Sequence, residues 1–366
     1  MIRVLQIIPT LDRCGAEKQL TLLATGLPHE RFEVQVCALT RGGPLAAPLQ
    51  QAGIPVTVIG KSWKVDPLAY ARLKRLIARW QPDLVHTWIF AANAYGRWAA
   101  RGAGVKHIVA GERCVDPWKR WHELALDKLL AGCTERIVTN SSGVRDFYAQ
   151  QGLPADKFVI IPNGVEPWTA PAARPREELL AELGLPPESR LIAAVNRLWP
   201  QKRVKDLIWA ADLLKIVNPH AHLLIVGDGP QRWRLERYRD QCEIRDCVHF
   251  LGPRDDVPSL LAHCECLWLG SGYEGQSNAI LEAMSAGLPV IATDIPGNRD
   301  LIVPKQTGYL VPVGDRAAFA RWTNLLLNDR DLATQLGTAG RQRVQTEFSV
   351  ERMVARHAAL YEELVG

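Results

Sequence analysis

Glu274 and Glu282 stand eight positions apart in the stretch GYEGQSNAILEAMSAG, Gly272 to Gly287, one on each side of a predicted helix start. Ser277 is a good helix cap, Asn278 to Ala286 is rich in Ala, Leu, Glu and Met, and Gly287 followed by Pro289 stops the run. Glu282 therefore falls on the helix and Glu274 in the loop before it. The stretch Gly275, Gln276, Ser277, Asn278 and Ala279 lies at the positive end of that helix, where first-turn amides lack intrahelical acceptors and favour a phosphate. A carboxylate repels a phosphate. Two carboxylates flanking such a site suit neutral hydroxyls on either side of it, such as those on the ribose and the sugar of a sugar nucleotide. The same residues also fit an ordinary amphipathic helix, with Glu274 solvated in its loop and Glu282 on the polar face. The segment alone does not choose.

Other constellations point away from other chemistries. Cys242, Cys247, His249, His263, Cys264 and Cys266 are close in sequence, but the paired spacing of a zinc site is absent and neighbouring strand positions face opposite ways, so buried thiols are expected and no metal. Gly227-Asp228-Gly229 follows an apolar run, yet the third glycine of a dinucleotide fingerprint falls at Arg232, and the first apolar run leads only to Cys14-Gly15-Ala16. A nicotinamide enzyme loses its main support. There is no Walker-type phosphate loop, and Asp255-Asp256 is not a convincing D-x-D metal motif.

The elements that must position these residues are legible in the hydrophobic pattern. In the first half VLQII, FEVQVCAL, VTVI, DLVHTW, KHIVA, RIVTN and FVII alternate with helical patterns; in the second LIAAVN, HLLIVG, VHFLG, CLWLG, PVIATD and GYLVPV do the same. Prolines 162, 167, 171, 175, 186 and 187 mark a connector between the halves. The expected fold class is α/β, two doubly wound Rossmann-like domains facing across a cleft at the carboxyl ends of their strands. The expected bounds are 1–168 and 185–348, with a final helix in 349–366 returning to the first domain.

Composition fits that picture. A chain of 366 residues, 47% hydrophobic and 23% charged, is long for one core and ordinary for two. No apolar run reaches the roughly 18 to 20 residues that span a bilayer. MIRVLQIIPT reads as a first buried strand and not a leader, and eight scattered cysteines without a C-x-x-C pair fit reduced thiols, so a cytoplasmic location is expected. Charge is uneven: residues 1–165 hold 21 Lys+Arg against 13 Asp+Glu, and residues 166–366 hold 23 against 26.

Taken with the two halves and the connector, Glu274-x7-Glu282 resembles the retaining glycosyltransferases of family 4, which have the GT-B fold. The supporting stretches are GAE at Gly15 to Glu17, VHTW at Val85 to Trp88, Asn163-Gly164, NRLWPQK at Asn196 to Lys202, GDGP at Gly227 to Pro230, and EGQSNAILEAMSAGLPVIATD. The resemblance implies a sugar moved from a nucleoside diphosphate sugar to a lipid-linked or cell-envelope glycan acceptor, with retention of anomeric configuration. It implies that Arg197 and Lys202 grip the diphosphate, two fixed cations and a helix terminus taking the electrostatic role of a metal, so that none is required. Glu282 would bind the ribose, Glu274 the transferred sugar, and Gly15 and Gly227 would give close approach to the donor. His86, expected to end a strand at the cleft edge, is the first-domain candidate for contact with sugar or acceptor. Related sequences often carry another histidine slightly later; here Trp88 and Ala91 stand there instead. Trp88 and Arg113 are further acceptor candidates, and a structural ion pair is the plainer reading of Arg113.

Two segments of the first half suit an anionic membrane surface. DPLAYARLKRLIARW places Leu73, Leu76, Ile77 and Trp80 on one helical face and Arg72, Arg75 and Arg79 on another, and Trp118 and Trp121 flank Lys119 and Arg120. The plainer reading packs the apolar stripe on the sheet. Nucleic acid is not expected, since no stacking motif accompanies the modest charge. Competing readings are a sugar-nucleotide epimerase or hydrolase on the same scaffold, and a non-catalytic protein that retains the fold.

Overall fold

The computed structural model describes residues 1–169 and 175–366; Pro171 of the expected connector lies outside them. The apolar runs form thirteen strands among the described residues. In the first half these are β1 (Ile2–Ile8), β2 (Phe32–Ala38), β3 (Val56–Val58), β4 (Leu84–Trp88), β5 (His107–Glu112), β6 (Arg136–Thr139) and β7 (Phe158–Ile160). In the second they are β8 (Arg190–Val195), β9 (Ala221–Val226), β10 (Val248–Gly252), β11 (Cys266–Leu269), β12 (Val290–Thr293) and β13 (Gly308–Val311). The chain divides into two compact units, Met1–Gly164 with Ser349–Gly366, and Val165–Phe348. The first boundary thus falls at Gly164 rather than 168. Helix Arg176–Leu183, just ahead of the expected second domain, buries Leu179 and Leu180 in the core of the second unit.

Unit 1 holds a seven-stranded sheet in the order β3-β2-β1-β4-β5-β6-β7, parallel throughout, with helices between successive strands. Both faces are covered, so the strands read as continuous apolar runs, and their two-residue period decides which core each side chain joins. Val4 and Ile8 face one core with Trp88, Val109 and Val138, while Leu5 and Ile7 face the other with Val85. The helix Val350–Val365 packs on the first of these faces. Ser349 caps it by accepting from the Arg352 amide at 3.2 Å, and its buried stripe is Met353, Val354, His357, Leu360 and Tyr361. Helix Gly15–Gly26 lies alongside so closely that a Cβ at Gly26 would stand 2.7 Å from Val354.

Unit 2 holds a six-stranded parallel sheet in the order β10-β9-β8-β11-β12-β13. Successive connections run outward from β8 in one direction and from β11 in the other. The switch point where loops part therefore lies between the carboxyl ends of β8 and β11; in unit 1 it lies between β1 and β4. Among the described residues no helix is long and apolar enough to cross a membrane.

Candidate active site

The loops at the unit 2 switch point carry the predicted residues. After β8 the chain runs through Asn196 and Arg197 into a single 3-10 turn, Pro200–Lys202, and then helix Val204–Val217. The loop after β9 packs directly on it. Gly227, at φ +122°, has no room for a side chain because a Cβ would overlap the Asn196 carbonyl, and Leu198 N–H donates to the Asp228 carbonyl at 2.9 Å. Gly227 is thus a close-approach glycine that lets two site loops touch.

The loop after β11 is laced to the same turn. Gly272 N–H donates to the Gln201 carbonyl at 2.9 Å, and Gln201 Nε2 returns a bond to the Tyr273 carbonyl at 2.8 Å. These contacts bring Glu274 to Lys202: the carboxylate and the ammonium form an ion pair, both side chains mostly buried, at 9% and 14% exposure. Ser271 Oγ donates to the same Glu274 oxygen at 2.7 Å, and Thr293 Oγ1 fixes the Ser271 carbonyl at 2.6 Å. Gly275, Gln276 and Ser277 are buried around the start of helix Asn278–Ser285; Ser277 occupies the cap position in extended conformation, without a side-chain capping bond. A side chain at Gly297 would overlap the Gly275 carbonyl, so helix Pro296–Arg299 presses on this loop too. Asn278, Ala279 and Glu282 are half-buried on the helix. Arg197 is exposed, its guanidinium 5.9 Å from the centre of the Trp199 ring.

Sequence reasoning missed Ser271, Gln201 and Thr293. Ser271 was recoverable, since a serine three residues before a loop glutamate can bond to it; the other two are set by sheet order. Asp256 pairs with Arg254 at 2.6 Å, and among the described residues no cluster of three His, Cys, Asp or Glu side chains could hold a metal ion.

Unit 1 corrects three expectations. His86 does not end its strand at an open edge: it is the third residue of β4 and is fully buried. Tyr361 of the last helix accepts from Gln6 Nε2 at 3.0 Å, which leaves its proton for His86 Nδ1 at 2.6 Å. The His86 proton accordingly sits on Nε2. Burial, and then the neighbouring His357 and Arg113, hold His86 well below the usual histidine range. Trp88 is likewise fully buried, stacked on His86 and donating to Gln6 Oε1 at 2.7 Å, so it is a wall of the core and not a contact for an arriving acceptor. Arg113 forms no ion pair with any described residue. Its guanidinium donates to Asn163 Oδ1 and lies 5.0 Å from the Trp88 ring centre. Gly15 is exposed as the first residue of its helix.

On the opposite face of the sheet a second buried cluster forms. Lys119 Nζ lies 2.9 Å from Asp127 and 3.4 Å from Glu112, Arg97 pairs with Asp127 at 2.6 Å, and Tyr148 Oη lies 3.1 Å from Glu112 and 2.7 Å from Asp116. One hydroxyl proton cannot serve two carboxylates. Burial, opposed by Lys119, raises the Glu112 carboxyl to about 7, so it can supply the second proton.

Residues 175–343 match the family described as Glycosyl transferases group 1, and residues 14–168 match Glycosyltransferase Family 4. The 2-deoxystreptamine N-acetyl-D-glucosaminyltransferase of Streptomyces fradiae is 30% identical, over 87% of this chain and 80% of its own. The UDP-Gal:alpha-D-GlcNAc-diphosphoundecaprenol alpha-1,3-galactosyltransferase of Escherichia coli is 29% identical, over 93% and 91%. The fold matches that of Anabaena Alr3699/HepE solved with UDP and glucose, with a TM-score of 0.88 at 22% identity, covering 99% of this chain and all of the other. The chain belongs to the family-4 glycosyltransferases and is a glycosyltransferase of the GT-B fold.

Proposed function

We propose that this enzyme transfers a sugar, with retention of configuration, from a nucleoside diphosphate sugar held by unit 2 to a lipid-linked or other envelope glycan acceptor. The observation that carries the reading is the Lys202–Glu274 pair, a cation and a carboxylate presented together at the switch point beside a helix N-terminus. In this pair each charge offsets the other. An arriving diphosphate is the stronger partner for Lys202, and its binding releases Glu274 to accept from a sugar hydroxyl. Arg197, already exposed, takes a second phosphate oxygen, and Glu282 accepts from the ribose. Charge that builds on the leaving diphosphate is then met by two fixed cations and the amides near Gly275–Ala279, without a metal. The bound UDP and glucose of the Anabaena structure, and the diphosphate-lipid acceptor in the name of the Escherichia coli relative, support this choice of donor and acceptor class.

Turnover of a UDP-sugar series, with hydrolysis as the fallback readout, tests the reading. Donor consumption that is unchanged by a chelator is expected. Interconversion of free donors would favour an epimerase, and absence of nucleotide-sugar binding a non-catalytic protein.

Membrane contact shifts in place. Helix Pro67–Trp80 buries Leu73 and Ile77 in the core, so its apolar stripe packs on the sheet. The exposed apolar groups join the expected Trp118–Trp121 segment to the stretch around the start of that helix: Trp63, Val65, Leu68, Trp118 and Trp121 are each more than half exposed. The Tyr95 hydroxyl donates to the Lys64 carbonyl at 3.1 Å, Phe90 meets Trp118 edge-on at 5.5 Å, and Lys64 reaches Glu123 at 3.9 Å, which joins these segments into one face. With Lys61, Lys64 and Arg120 around it, this face suits indoles in a lipid interface and cations on anionic headgroups, about 1 kcal/mol each. Sedimentation with anionic vesicles should exceed that with neutral ones and fall in Trp63→Ser/Trp121→Ser; equal sedimentation removes the membrane from the account.

A further inference from the structure

The face of the unit 1 sheet that carries His86 ends in a row of polar side chains, and several of their buried atoms meet no partner among the described residues. Strand register sets the row: Trp88 pairs with Gly111 and Gly111 with Val138, so Arg113 and Asn140, two residues on, continue the same face beyond the strand ends. Asn163, after β7, completes it. Glu112 points the other way, to Asn93, Lys119 and Tyr148. Arg113 is 93% enclosed, at 7% exposure, yet its Nε and Nη1 have no partner among the described residues. The His86 Nε2 proton and Asn140 Oδ1 are also unpartnered; so is His357 Nε2, an acceptor because Nδ1 donates to the Met353 carbonyl at 3.0 Å.

Such a charge is costly. A buried cation without a carboxylate is stabilised only in part by one amide oxygen and the face of an indole, and burial lowers the Arg113 guanidinium to about 9. Water can answer the open hydrogen bonds but not the charge; an oxyanion accepting at either of the two open nitrogens answers both. Gln19, which holds both backbone groups of Gly164 at 2.8 Å beside Asn163, lies one turn below Gly15, so the positive end of helix Gly15–Gly26 is on the same side.

We propose that Arg113 is the anion-reading residue of an acceptor subsite in unit 1, taking a phosphate or carboxylate group of the molecule that receives the sugar. This deepens the transferase reading and rests on it for the word acceptor; anion binding by Arg113 does not. The test is calorimetric titration of the full chain with UDP present to fill the donor site. The probes are α-D-glucose 1-phosphate, inorganic phosphate, D-glucuronate and neutral methyl α-D-glucoside. One or more of the anionic probes binds, the neutral glucoside does not, and Arg113→Gln weakens that anion at least tenfold while leaving the UDP affinity unchanged. Phosphate arms alone, or glucuronate alone, then name the group, and preference for the sugar phosphate over inorganic phosphate marks a substrate instead of a free ion. Equal anion affinity in wild type and Arg113→Gln, or no anion binding to wild type, overturns the proposal. Without ligand, Arg113→Gln should melt close to wild type, because removal of an uncompensated buried charge offsets the lost contacts with Asn163 and Trp88. Should it fail to fold, Arg113→Lys must fold and bind with intermediate affinity; failure of both marks the residue as structural and overturns the proposal. UDP binding itself reports separately on the transferase reading.

Discussion

At the scale of single residues, the account places opposite charges in contact and asks the substrate to separate them. Lys202→Ala removes the cation and leaves Glu274 with Ser271 and Gln201 for company. Loss of either Lys202 or Arg197 should cut turnover by about 10²- to 10³-fold, as for other preorganised charge-stabilising donors, with near-UV circular dichroism unchanged. Near-normal rates in either variant would remove it from the site. The two glutamates should separate kinetically, Glu282→Ala raising the donor KM and Glu274→Ala lowering kcat. Glu274 drew attention by residue type and spacing and Lys202 only through the family resemblance; that their loops meet is set by sheet order, which neither reports. His86 and Trp88 were misread for a definable reason: a strand's period tells which face a side chain takes, but not what covers that face. The cover here is Tyr361, 275 positions away.

At the scale of elements, the last helix is held on its sheet by polar bonds as well as apolar burial. Tyr361→Phe would strand His86 and Gln6 in the core and should cost about 1–3 kcal/mol in chemical denaturation, more than removing an exposed hydroxyl. Acid should loosen the same contact. An unfolded histidine takes up a proton near 6.5, whereas burial keeps His357 neutral until about 3 and holds His86 low as well. Below about pH 6.5 the unfolded chain therefore binds more protons than the folded one, and their stabilising contribution is present above that pH and lost as pH falls toward 3. The thermal midpoint should drop between pH 7 and pH 5, less steeply in His357→Gln; identical slopes would show that these histidines do not set the acid limit. Glu112 works in the opposite direction. Its folded carboxyl holds a proton to about 7 against 4.5 when unfolded, so stability is lost as pH rises through that window, and Glu112→Gln should gain on wild type at pH 8 relative to pH 5. Gly227→Ala, at a positive φ with a carbonyl in the way, should destabilise unit 2 by more than about 1 kcal/mol.

At the scale of the whole molecule, alternating apolar runs with helices between them were enough to announce two parallel sheets, because strands covered on both faces leave so plain a trace. The precise seam was less legible: prolines marked a broad connector, but helix Arg176–Leu183 and Val165 belong to the second core for reasons of packing that no proline reports. Charge follows the seam. Unit 1 holds 23 Lys+Arg against 16 Asp+Glu and unit 2 holds 21 against 23, which puts the positive excess on the unit that carries Trp63, Trp118, Trp121 and Arg113. The central claim is that unit 2 holds the donor's diphosphate through Arg197, Lys202 and the amides at Gly275–Ala279, with the two glutamates on its neutral ends. A crystal structure of the chain with a bound UDP-sugar tests it most directly. The account predicts Lys202 turned from Glu274 to a phosphate oxygen, Glu274 on the sugar and Glu282 on the ribose. A diphosphate bound elsewhere, with the Lys202–Glu274 pair still closed, would contradict it.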